Sequence, residues 1–430
     1  MYRAPAAGWG SDPGEGGEHS QAMSTTRIKE LLGRVWSPAD GGKETTTAKE
    51  RSSPGRQAAA TPSWDELGFE LYRRREGEFL VRERAAVEVQ IPAFPGWVWG
   101  LVGKDEALEG VDMGQMCFLD LETTGLNLGA GGFAFTIGAG YVRDDEPVVR
   151  QYFLRDHRDE RAALSDLAEF LEQFIGLVSY NGKSFDWPLL CDRFNFHRLG
   201  FPSLQEVHLD LLHAARRVWK GVLPGFSLDE VERYIVQVER GEDIPGYLIP
   251  AAYNDFLRTG STDAICSILE HNQQDIVSLM LLGPRLAQVF LDVEYCELRE
   301  EIYNAADVLA RSGDIPRAIE YLEFLLQEGV AHHRVLCRLA GLYKKSGDWE
   351  RAVELWQATT HSAVTIEPWV ELAKYFEHQG KDFTRARFCT LKAIENSRRF
   401  SRYSRQSRRH GRTAKTSAAV GAKTGAAAVK

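Results

Sequence analysis

The segment that most constrains this chain is Met116 to Leu126, MCFLDLETTGL. Cys117, Phe118 and Leu119 read as a short buried strand running into Asp120, Glu122, Thr123, Thr124 and Gly125. Along an extended chain residues i and i+2 point the same way, so Asp120 and Glu122 leave the strand end together. Two carboxylates aimed at one point repel unless a cation lies between them. Hard oxygen donors beside small hydroxyls suit Mg²⁺ or Mn²⁺ better than zinc. An isolated Asp-x-Glu is equally well a solvated strand end, so a metal site needs further carboxylates from elsewhere in the chain.

Downstream, a glycine-rich turn at Gly129–Gly132 precedes an apolar segment, Phe133–Tyr141. Asp144, Asp145 and Glu146 separate it from a second extended segment, Val148–Leu154, which makes a hairpin with a solvated acidic tip. Glu160–Ile175 has helical spacing and Leu177–Tyr180 reads as a strand. Three strands, a helix, a strand and further helices predict an α/β domain with a mixed sheet. The next strand ends in Asn181 and the text GKSFD, so that Asp186 opens a helix bearing Leu189, Leu190 and Phe194. A carboxylate there can simply complement the helix dipole, worth about 0.3–1 kcal/mol. Lys183 lacks the glycine spacing of a phosphate loop. Asp210 is expected to brace a helix, Ser227 to cap one, and Glu239–Pro250 to be a loop. In Thr262–Leu282 an apolar stripe of Ile265, Ile268, Leu269, Ile276 and Leu279 marks a helix, with His271 and Asp275 together on one face. A lone histidine beside a helix is commonly structural; with three carboxylates already gathered it becomes a candidate catalyst.

Asp120, Glu122, Asp186 and Asp275 in this order resemble the DEDD exonuclease superfamily. The surrounding text, including FLDLETTGL, VSYNGKSFDWPLL, SLDEVER, DIPGYLIPAAY and HNQQDIVSL, is similar to the YprB-like ribonuclease H-like family over roughly Met116–Leu282. The resemblance implies a ribonuclease H-like mixed sheet flanked by helices, with the acidic site at the sheet edge. It also implies 3′-to-5′ removal of nucleotides with two divalent ions. On that basis Asp120, Glu122, Asp186 and Asp275 are expected to hold two Mg²⁺ or Mn²⁺ ions about 3.5–4 Å apart, which invert the local charge and clamp the attacking and leaving oxygens. His271 is expected to draw the proton from water. Thr123, Thr124, Gly125 and Leu126 are expected to lie against the terminal nucleotide, and Asn181 to support the site. One departure stands out: the relatives place a His five residues, or a Tyr four residues, before the last Asp, whereas His271 takes the four-residue spacing.

The chain has 430 residues, 43% apolar and 26% charged, which is room for two or three ordinary domains. It contains no run of about 18 apolar residues. It also lacks a basic-then-apolar leader and scatters six cysteines without a Cys-x-x-Cys. These features predict a cytoplasmic protein with reduced thiols, no disulfide framework and no membrane partner. Residues 1–60 are expected to be disordered, with Met23 a candidate alternative start, and 61–115 to supply extended segments packing on the domain at 116–290, with Val87, Val89, Ile91, Phe94, Trp97 and Trp99 among their apolar residues. Beyond Pro284 the period changes. Ala318, Ala352 and Ala386 recur every 34 residues after Gly-Asp or Gly-Lys-Asp, and Ala306, Ala340 and Ala373 precede them. This resembles three tetratricopeptide repeats over 298–396, either a surface for a protein partner or a prop for the first domain. The tail 397–430 carries ten Lys and Arg and no acidic residue, which leaves −19 on the rest of a chain whose total is −9. Such a tail suits DNA or RNA, single-stranded or at 3′ ends, through salt-dependent contacts. Two further readings stay open: a catalytically silent nucleic-acid-binding adaptor whose repeats recruit a protein, and a hydrolase of small phosphoesters.

Overall fold

The computed structural model describes residues 63–125, 132–202, 204, 207–238, 240, 244–360 and 365–399. Leu126, Met23, the 1–60 segment and nearly all of the basic tail lie outside the described residues. The α/β body contains β1 (Glu70–Arg74), β2 (Gly77–Ala85), α1 (Trp97–Gly103), β3 (Met116–Thr123), β4 (Ala134–Arg143), β5 (Glu146–Phe153) and α2 (Glu160–Leu171). It continues with β6 (Gly176–Ser179), α3 (Asp186–His197), β7 (Val207–Asp210), α4 (Leu211–Val218), α5 (Leu228–Val231), α6 (Ile249–Thr259) and α7 (Asp263–Leu291).

The strands form one mixed sheet in the order β1-β2-β5-β4-β3-β6-β7. The expected hairpin is β4–β5. At its tip Asp144 and Asp145 take φ of 53° and 65°, the left-handed pair that matches the twist of two antiparallel strands. β3 runs antiparallel to β4 and parallel to β6, with Phe118 opposite both Gly140 and Val178. Alternation along β3 sends Cys117, Leu119 and Leu121 into the core beneath α2 and α3, while Met116 and Phe118 join the core of α1, α4 and α7. Asp120 and Glu122 continue the Phe118 side, so they emerge beneath α7. Laterally β3 is an interior strand, and the carboxylates lie toward its C-terminal end rather than on a flank of the sheet.

Two glycines set how close α7 comes. A Cβ on Gly138 would lie 2.5 Å from Asn272 Oδ1, and one on Gly140 would lie 2.5 Å from Ile276 Cγ2. Helix and strand therefore touch because β4 has no side chains there. α7 also runs through Pro284 to Leu291, past the boundary the change of period suggested. Leu282, Gly283, Pro284, Leu286 and Ala287 are all buried, and packing on every side holds the helix through the lost N–H.

The segment before β3 departs from the extended reading. β1 and β2 form a hairpin that joins the sheet itself, with β2 antiparallel to β5, and Trp97–Gly103 is a helix whose Val98, Trp99 and Val102 are buried. Val87, offered as part of an apolar strand, is 87% exposed. Alternating apolar letters cannot distinguish a strand from a short helix when tertiary packing supplies most of the stability.

C-terminal to the sheet come α8 (Arg299–Ser312), α9 (Ile315–Gln327), α10 (His333–Ser346), α11 (Trp349–Thr359) and α12 (Glu367–His378), then a helical run over 383–399. The 34-residue pattern has a structural cause. Gly313 and Gly347 end their helices at φ of 99° and 86°, and Asp314 and Asp348 then accept from the backbone N–H of Arg317 and Arg351 to start the next ones. Asp382 accepts likewise from Arg385. All six periodic alanines are buried where helices meet. The first helix of this region is tied to the α/β body through Glu301. That residue accepts from Trp219 Nε1 and Arg285 Nη2, both at 2.8 Å, and from the backbone N–H of Glu297 at 2.9 Å.

Candidate active site

Three separated elements deliver the acidic quartet. Asp120 and Glu122 come from the end of β3, where a register shift between Glu122 and Thr123 re-aims the chain. Asp186 is the first residue of α3, and Asp275 lies one turn beyond His271 on α7. Ligand atoms of Glu122, His271 and Asp275 lie within 4.8 Å of one another. His271 Nε2 is 3.5 Å from Asp275 Oδ2 and 3.8 Å from Glu122 Oε1. Burial, and then the charges of Asp275, Glu122 and Asp186, hold the Asp120 carboxyl well above the usual range. Burial and the neighbouring Asp210 push Asp186 up to about 7. Burial pushes Asp275 up to about 6 against the opposing pull of His271 and Arg240. The four carboxyls therefore share one field.

A divalent cation fits this arrangement on two observations. The donors are carboxylate oxygens with one imidazole, a set that suits a hard ion. Their mutual repulsion is also only partly compensated. Directly across from Glu122, the buried hydroxyl of Thr136 has no hydrogen-bond partner among the described residues.

The supporting loop follows from Asp210. It caps α4 by accepting from Leu212 N–H at 3.1 Å, and it also accepts from the backbone N–H of Asn181 at 2.8 Å and of Lys183 at 3.3 Å. Asn181 can take φ of 65° because an Asx residue tolerates the left-handed region. Gly182 then passes so close that a Cβ would lie 2.9 Å from Asp186 Oδ2. The hydrogen bond from Asn181 to Asp210 is made by its main chain, and a supporting role at the site remains a proposal. Thr123 Oγ1 donates to the Gly125 carbonyl at 3.2 Å, and among the described residues no atom lies within 4 Å of where a Gly125 Cβ would sit.

Sequence reading missed Arg240. Its guanidinium is held by Glu232, with Nε and Nη2 each 2.6 Å from a carboxylate oxygen, and it also donates to Asp275. Its Nη1 lies 2.9 Å from His271 Nδ1. A guanidinium only donates, so Nδ1 is the acceptor and the neutral ring carries its proton on Nε2, facing the carboxylates. No periodicity marks a single arginine in a Gly/Pro-rich loop, and only the fold places it here. Arg82, Gln151 and Asn272 escaped for the same reason.

The raised carboxyls give the metal-free protein a pH signature. An unfolded Asp titrates near about 4. Between roughly pH 4 and 7 the native site, with Asp186 near 7 and Asp275 near 6, binds more protons than the unfolded chain, so stability falls as pH rises through that window. In EDTA, Asp186→Asn should therefore gain on wild type between pH 5 and 8 by on the order of 1–3 kcal/mol. Thermal melts across pH check this: parallel wild-type and variant curves would refute it, and Mn²⁺ should shrink the difference in the wild type.

Residues 117–287 match the family model described as the RNase_H superfamily. The chain is also 34% identical over 297 residues to the uncharacterized protein YprB of Bacillus subtilis (strain 168), covering 67% of this chain and 72% of that one. Among the described residues, no helix is long and apolar enough to cross a membrane.

Proposed function

The chain belongs to the YprB-like family of the ribonuclease H superfamily, and on that premise we propose that it is a metal-dependent 3′-to-5′ exonuclease acting on single-stranded nucleic acid. The observation that carries this reading is the convergence of Asp120, Glu122, Asp186 and Asp275 with His271 at the C-terminal end of β3. Asp120, Glu122, Asp186 and Asp275 would hold two Mg²⁺ or Mn²⁺ ions, which when bound supply Lewis acidity and the positive charge that a phosphodiester needs. The protein's own part is to place the terminal nucleotide and to move a proton. Thr123, Thr124 and Gly125, with Leu126 beyond the described residues, would lie against the terminal nucleotide, and Gly125 would let a ligand come close to the backbone. Water attacks phosphorus, the 3′ oxygen of the preceding nucleotide leaves, and His271 takes the proton released by the water. That step needs an unprotonated Nε2, hence a proton on Nδ1, so Arg240 must leave Nδ1 first. Its release would free Asp275 as well, which links readiness of the base to readiness of the ligand set.

Arg240 also favours a second reading, a silent adaptor in which the arginine permanently satisfies the carboxylates while the C-terminal helices, read as tetratricopeptide repeats, recruit a protein. End-labelled single-stranded DNA and RNA, incubated with Mn²⁺ or Mg²⁺ and with EDTA, distinguish the two. Stepwise shortening from the 3′ end that requires metal supports the exonuclease. Binding without cleavage under every metal condition supports the adaptor.

A further inference from the structure

We propose that Arg82, Gln151 and Asn272 form a directed hydrogen-bond relay that positions Asp120, making the β1–β2 hairpin a working part of the active site. The inference rests on the nuclease reading above. Arg82 Nε donates to Gln151 Oε1 at 2.7 Å, Gln151 Nε2 donates to Asn272 Oδ1 at 2.8 Å, and Asn272 Nδ2 donates to Asp120 Oδ2 at 2.9 Å. Every link runs from cation toward carboxylate, so each amide is polarised in the sense that strengthens the next bond. The amide orientations have independent support. Gln151 Nε2 also donates to the Leu269 carbonyl at 2.9 Å, and Asn272 Nδ2 also faces the Asp120 carbonyl at 3.4 Å.

The three residues are 4%, 1% and 0% exposed, although buried Arg, Gln and Asn are uncommon. Among the described residues no carboxylate lies within ion-pair distance of Arg82. Its other contacts are the carbonyls of Leu67 and Leu269, the Gln273 side chain and the Phe69 ring. Burial, reinforced by the charge of Arg84, pushes its guanidinium down to about 10. A cation buried among neutral groups is costly unless a charge elsewhere answers it. The carboxylate whose charge favours it is Glu270, outside ion-pair distance, and the relay carries the donor direction of the guanidinium on to Asp120. Gly138 provides the room, since any side chain there would displace the Asn272 amide. Arg82 lies outside the 117–287 family match, so this support comes from the chain's own N-terminal hairpin.

Gln151→Glu tests the relay in the full-length protein. The variant keeps the size and still accepts from Arg82, but it has no N–H for Asn272. Removing this kind of support behind a metal ligand weakens metal binding by about 10–100-fold. Mn²⁺ affinity of the metal-free protein, measured by titration calorimetry, should fall by about tenfold or more. The melting temperature in EDTA should stay within a few degrees of wild type, and cleavage should fall with occupancy. Should the variant fail to fold, Arg82→Gln, which keeps a donor and removes the charge, is expected to weaken Mn²⁺ several-fold. Wild-type Mn²⁺ affinity in whichever variant folds would overturn the relay and leave these residues as scaffolding. If the wild type itself neither binds Mn²⁺ nor cuts an oligonucleotide, the nuclease reading is what fails.

Discussion

Asp120→Ala is expected to lower metal-dependent cleavage by on the order of 10³-fold or more. Asp120 occupies the middle of the acidic cluster: its carboxyl feels Asp275, Glu122 and Asp186 at once, and Asn272 orients it. Its loss removes a ligand that two other elements are arranged around. The loss of activity will not be a folding defect, because a buried carboxyl under mutual repulsion costs the metal-free protein stability, and relieving it stabilises. Asp120→Asn is a sharper variant, since it keeps the shape and an oxygen for Asn272 to donate to while removing the charge. Both variants should melt in EDTA at or above the wild-type temperature and fail to shorten an end-labelled oligonucleotide. A variant that cuts within about tenfold of wild type would show that another group holds the reacting phosphate.

Glu301→Leu should destabilise the protein by about 3–5 kcal/mol, the cost of breaking a buried ion pair from one side. Glu301 is fully buried and stands opposite Arg285, whose side chain is only 15% exposed. Its removal strands the Arg285 charge and the Trp219 indole N–H, and frees the start of α8. Among the described residues Arg285 Nη1 has no hydrogen-bond partner, so none of them offers an acceptor already in place to compensate. The expected result is a lower melting temperature and an earlier separate transition for the C-terminal helices, followed by calorimetry. Melting within a degree of wild type would mean that apolar packing of α4 and α7 on α8 joins the two parts unaided. Glu301→Gln keeps the shape and should lose markedly less. The same contact shows that the C-terminal helices are built onto the α/β body, as a prop would be; recruitment of a protein by their outer surface remains a proposal with the adaptor reading.

By itself the sequence determined the local structure and the chemical inventory. The apolar run of Cys117, Phe118 and Leu119 made β3, the alternation of an extended chain aimed Asp120 and Glu122 one way, and the Asp144–Asp145 pair made the hairpin tip. The four-residue spacing placed His271 with Asp275, and the Gly-Asp steps with buried alanines spaced the last helices. Each depends on neighbours in the chain, so a period or a cap reveals it. Tertiary structure alone decided what those groups meet. It put the β1–β2 hairpin into the sheet, carried α7 through Pro284, and set Arg240 between His271 and Asp275. It also joined Arg82 to Asp120 through Gln151 and Asn272. These partners come from distant parts of the chain, and a single buried polar side chain carries no repeating pattern. Its role is set by what packing leaves it to bond to, which is legible only once the chain has folded.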